Sequence, residues 1–202
     1  MEVLNETITG DFYEKNGDYN YYTAELYAGL FFTKGQICGE TNIVTGHQRD
    51  VRSKSGIEKH KEQLKMLFFD PGKKIPGIPF MGDKTAIFDR DHIDHYDFSL
   101  DYVDYNGQNC YLFTIKAKGG SGVVIDNMTT WFNSSTMEIV ARNYDLSYDA
   151  GVYDFDVHME VQMMQFGDLI VPSTLRYFGT WDVALKKRER GAFTATLFDF
   201  SR

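Results

Sequence analysis

The chain has 202 residues, 43% hydrophobic and 15% aromatic, with a formal net charge of −8 at pH 7. That is enough apolar content for one packed domain, and it excludes wholesale disorder. The acidic balance argues against a nucleic-acid partner, which wants a basic face, and against tight docking on anionic headgroups.

From the N-terminus, Met1-Glu-Val-Leu-Asn-Glu-Thr7 has no basic n-region and no apolar h-region, so no signal peptide is visible. A cytoplasmic protein and an exported one with its signal removed both fit. Residues 7–13 and 18–32 read as strands around Asn16-Gly17, a pair that tolerates the positive φ of a tight hairpin. Residues 36–51 are rich in β-branched side chains and read as strand. Ser55-Gly-Ile-Glu58 is then a capping box, and Ile57, His60, Leu64, Leu67 and Phe68 repeat at helical spacing. This predicts an amphipathic helix over 56–69. Residues 70–83 hold three of the four prolines and read as a long loop with apolar content, a candidate lid. No run reaches the roughly 20 apolar residues that span a bilayer.

Residues 89–96 suggest a short helical turn. Beyond it the chain reads as an antiparallel meander. Strands are expected over 98–105, 108–116, 123–132, 138–148, 152–166, 169–183 and 192–200, with turn residues between them. Within 152–166, every odd position from Tyr153 to Met163 is apolar and every even one polar, the period of a strand with one dry face. The expected fold is mainly β. A curved antiparallel sheet forms an incomplete barrel, with one main helix packed on its concave side, all within a single domain, 1–202. A closed lipocalin-like barrel is the nearest competitor.

Candidate chemistry is sparse. His92 and His95, three apart among Asp89, Asp91, Asp94 and Asp97, put two imidazoles on one helical face; a third metal ligand would have to come from Asp89, Asp91 or a distant residue, and a metal-dependent enzyme built on this pair is a third, weaker reading. The chain has no Gly-x-Ser-x-Gly elbow, and Cys38 and Cys110 both fall inside expected strands, where thiols are usually inert core. Whether those two cysteines pair is left open. Lys186-Lys-Arg-Glu-Arg190 reads as a solvated hairpin tip. No catalytic residue, metal or cofactor is expected. Met159, Met163 and Met164, with Met128 and Met137, are flexible thioethers that suit a face adapting to apolar ligands, and equally suit an ordinary core.

Several passages carry a family likeness. They are Gly10-Asp-Phe-Tyr-Glu14 with Tyr21-Tyr-Thr-Ala-Glu-Leu-Tyr27; Tyr96-Asp-Phe-Ser-Leu100 with the run from Tyr105 to Lys116; and Trp131-Phe-Asn-Ser-Ser-Thr-Met-Glu-Ile-Val-Ala-Arg142. Together they resemble the LolA/LolB-like lipoprotein-carrier superfamily, and more closely the envelope domains found beside carboxypeptidase-regulatory-like modules. The resemblance implies a half-barrel closed by helix and loop, a periplasmic or outer-membrane-associated location, and no enzyme activity. It also implies a groove for acyl chains. The carriers' lipobox cysteine has no counterpart here, so lipoprotein transfer itself is not implied.

The function expected is therefore a non-enzymatic module that binds an acyl chain or other apolar ligand. Its liners would be Phe155, Val157, Met159, Val161 and Met163, with Leu175, Tyr177 and Trp181 on the next strand. The alternative is an interaction or scaffold domain that contacts other envelope proteins and has a fully self-packed inner face.

Overall fold

The structure, a computed structural model, describes residues 15, 16, 18, 20, 21, 71–75, 81–120 and 122–200. Among them are seven strands: β1 Tyr96–Tyr105, β2 Gln108–Ala117, β3 Ile125–Asn133, β4 Ile139–Asp149, β5 Tyr153–Phe166, β6 Leu169–Val183 and β7 Glu189–Thr196. They pair in chain order, all antiparallel, into one open, half-barrel-like sheet.

The turns explain the simple meander. Asn106 and Gly107 both take positive φ, 53° and 79°, which matches the natural twist of a two-residue hairpin, and the Gly107 N–H donates to Asp104. Gly167 at φ 62° opens the two-residue turn between β5 and β6. Between β3 and β4, the Asn133 side chain accepts from the N–H groups of Ser135 and Thr136.

Among the described residues no α-helix occurs; there are 3-10 turns at Gly82–Thr85 and Ile93–His95. The second falls where a helical turn was expected. Of the strands expected before residue 70, only positions 18, 20 and 21 are described, and none of the three is in a strand; the rest of those strands and the helix over 56–69 lie outside the described residues, as do positions 70 and 76–80 of the proline-rich loop. The last strand starts earlier than its alternation suggests, at Glu189, because it pairs with β6 from Trp181↔Glu189 to Thr174↔Thr196. No helix among the described residues is long and apolar enough to cross a membrane.

Strand register sets the two faces, since residues directly opposite share a side. Across the sheet, Phe98, Ile115, Met128, Tyr144, Met159 and Tyr177 form one continuous row. The neighbouring row is Leu100, Phe113, Thr130, Arg142, Val161 and Leu175. These rows belong to the apolar face. Residues 71–75 and 81–87 pack against part of it, and Ile75, Met81 and Ile87 join the core cluster with Ile115, Met128, Tyr144 and Met159. The two stretches are tied together by the Ile87 N–H donating to the Gly72 carbonyl at 3.1 Å and the Thr85 hydroxyl donating to the Lys73 carbonyl at 2.7 Å. Gly72, at φ 98°, fits closely there: a Cβ would meet Ile87 Cδ1 at 3.2 Å and Met128 Cε at 3.9 Å.

Candidate functional site

The eight expected liners do share the apolar face. Register places Phe155 opposite Trp181, Met159 opposite Tyr177 and Val161 opposite Leu175. Met163 departs from this pattern: the register shifts after Gln162, so Met163 faces Pro172. The shift is a bulge, which the alternation of β5 alone does not reveal.

Burial divides the set. Phe155, Val157, Met159, Leu175, Tyr177 and Trp181 are each 3% exposed or less, while Val161 and Met163 are half-buried. At one end, the Phe155 and Trp181 rings stack with centroids 4.6 Å apart, and the Trp181 indole N–H donates to the Tyr177 hydroxyl at 2.9 Å. Tyr177 reaches that position by lying over Gly179, where a Cβ would sit 1.9 Å from the tyrosine oxygen. The glycine is therefore required for space: its missing side chain makes room for an aromatic ring in a close-packed layer.

The same apolar face reaches solvent at the other edge of the described sheet. Phe98 is 39% exposed, Leu100 65% and Tyr102 60%, all on β1 and all on the side that carries Ile115 and Met128. Phe88 stacks on Phe98 at 6.4 Å, Phe98 on Phe113 at 6.1 Å, and Tyr102 meets Tyr111 edge-on at 5.5 Å. This aromatic strip was missing from the expected site. Its signal is present in the sequence: Phe98, Leu100 and Tyr102 alternate, and so do Tyr111, Phe113 and Ile115.

The opposite face carries a polar network over four strands. Asn127 donates to Asp145 at 3.3 Å, and His158 Nδ1 meets the same carboxylate. His158 Nε2 lies 3.4 Å from Glu160, which Arg176 contacts at 3.3 Å. Burial alone would push the His158 pKa down. The hydrogen bonds and charges of Asp145 and Glu160 outweigh it, and the value rises above the ordinary 6.5. Nearby Asp126 is held above the usual carboxylate range, mainly by burial and partly by Asp156 and Asp145, while its bond to Ser147 opposes the rise.

The remaining candidates resolve simply. The His92 and His95 rings lie 6.1 Å apart, and among the described residues no three metal-ligating side chains converge. Cys110 is a buried free thiol, and Cys38 lies outside the described residues. Lys186, Lys187 and Arg188 are exposed at the β6–β7 hairpin tip, with Arg188 paired to Asp182 at 2.9 Å. Compared with known proteins, the chain matches no family model, no curated protein and no solved structure.

Proposed function

We propose that this chain is a non-enzymatic module that binds an acyl chain or similar apolar ligand. The observation that carries this reading is the continuity of the apolar face. It runs from the buried row of β3–β6 out to the exposed strip Phe98, Leu100 and Tyr102. Isolated exposed apolar residues need no explanation, but a contiguous aromatic strip is the kind of patch that takes a ligand or partner. Burying it would contribute roughly 25 cal/mol per Å², less the cost of ordering the ligand. The resemblance to LolA/LolB-like carriers supports the same reading and adds a periplasmic or outer-membrane-associated location. Within this reading the β5–β6 residues act mainly as the packed floor, and contact falls to β1 and β2.

A specific observation favours a second reading. Six of the eight expected liners are buried in the protein's own core, as an interaction or scaffold domain with a self-packed inner face requires. Native mass spectrometry before and after solvent extraction separates the two, using wild type and Leu100→Asp. Leu100 is exposed, so the variant should remain folded. The ligand reading expects a lipid-sized mass on wild type that is lost on extraction and strongly reduced in Leu100→Asp. Equal retention in both proteins would remove the β1 strip from the site. A clean mass throughout, with no uptake of added lipid, would favour the scaffold reading.

A further inference from the structure

Among the described residues, two tyrosine hydroxyls are enclosed in the core without a hydrogen-bond partner, those of Tyr96 and Tyr144. They differ in their surroundings. The Ile125 backbone N–H lies near enough to the Tyr96 hydroxyl to favour its charged form slightly. Tyr144 is 1% exposed, and no hydrogen bond acts on its hydroxyl among the described residues. An enclosed polar group with no partner is less stable there than in water, where it would be hydrogen-bonded. A phenylalanine would fill the same ring volume without that cost, so the hydroxyl calls for an explanation.

The surroundings of Tyr144 are suited to a guest. Its cross-strand neighbours are Met128 on β3 and Met159 on β5, and Met81 belongs to the same cluster. Methionine side chains are unbranched and repack more readily than leucine or isoleucine. Tyr144 also stands in the row that begins at exposed Phe98, three strand steps away, roughly 14 Å at the usual strand spacing. An extended alkyl chain of moderate length spans that distance. Arg142 is two residues earlier on the same face, with its Nε donating to Thr130 at 3.0 Å, and its positive charge is close enough to act on the Tyr144 phenol. Burial holds that phenol protonated, so its O–H remains a donor.

We infer that the Tyr144 hydroxyl is the polar anchor of an apolar site, donating to the carboxylate of a fatty acid whose chain lies along the row past Met128 and Ile115 toward Phe98, with Met128 moving aside. This rests on the apolar-ligand reading above and narrows it to one ligand class. Arg142 favours a carboxylate over a neutral head, because a buried anion needs a nearby positive charge.

The test equilibrates the full chain with laurate and, separately, with dodecane, the same chain length without oxygen. Bound ligand is measured by extraction. Tyr144→Phe is the variant, and it should stay folded because it keeps the ring and removes only an unpartnered hydroxyl. The expected result is that wild type holds laurate better than dodecane, and that Tyr144→Phe loses about tenfold in laurate affinity with dodecane unchanged. Wild type binding both equally, or Tyr144→Phe holding laurate as well as wild type does, overturns the anchor and leaves the apolar-ligand reading intact. Binding of neither overturns both.

Discussion

The β1–β2 and β5–β6 regions present the same alternation on the same face of one sheet and meet opposite fates. On β5 and β6, Phe155, Met159 and Tyr177 are sealed beneath neighbours. On β1, Phe98, Leu100 and Tyr102 stand partly in water. The difference lies in what packs above. Residues 71–75 and 81–87 contribute Ile75, Met81 and Ile87 to the buried cluster, and β1 contributes only Tyr96 to it. Alternation therefore reports which face is apolar, and cover decides whether that face is core or surface.

The largest effect should come from truncating matched positions in the two regions. Met159→Ala is expected to cost about 2–5 kcal/mol of unfolding free energy, and Leu100→Ala about 0.5 kcal/mol or less, read from denaturant titration. Comparable losses at the two positions would break the comparison, since they would mean Leu100 is also core.

Next comes Gly179→Ala, which forces a methyl into the Tyr177 ring that bonds Trp181. Overpacking of that kind costs about 1–3 kcal/mol, and Trp181 fluorescence should shift as its hydrogen bond is lost. A variant with wild-type melting temperature and spectrum would show that Tyr177 does not need the space.

A smaller effect, confined to the polar face, should follow His158→Gln. The folded pKa is raised above 6.5, so the contribution of protonated His158 is fully present below that value and fades as pH rises through the folded one. The groups around it are Asp145 and Asn127, Asp156 and Glu160, Arg176 and the Phe178 ring. Because the site is partly open to solvent, the loss should be at most about 1 kcal/mol at pH near 5.5 and close to nothing at pH near 8.5. A penalty that grew with pH would reverse the sign and sink the assignment.

The smallest expected change is a gain. Leu185, at the β6–β7 hairpin tip, is fully exposed with φ at 67°. Leu185→Gly should stabilise by about 0.5–1 kcal/mol, because glycine accepts that backbone without steric cost. No gain would mean the leucine is held by a contact of its own.

Much of the fold could be read in advance because its signals are local. Asn106-Gly107 can close a tight turn by its own φ preferences, and the odd-position apolar residues of β5 must lie on one side of any strand they form. The short turn at Ile93–His95 was likewise legible. The limits appear where a partner strand or a distant segment intervenes. The bulge opposite Gln162 and Met163, with Ser173 as the extra residue on β6, changes which residue Met163 faces, and pairing with β6 starts β7 at Glu189. For the candidate site, the shared face was legible and its burial was not. The eight expected liners do fall on one face, but alternation does not say that most of them are buried while Phe98, Leu100 and Tyr102 on β1 are exposed. The unpartnered hydroxyl of Tyr144 could not be foreseen at all, since the letter Tyr does not say whether a donor will be near.

By itself the sequence determined the antiparallel meander, its turns and the identity of its apolar face, because backbone preference and a period of two act within a few residues. Only the tertiary structure decided which part of that face is covered, which glycine makes room for a ring, and which tyrosine loses its partner. Those outcomes depend on segments far apart in the chain meeting in space.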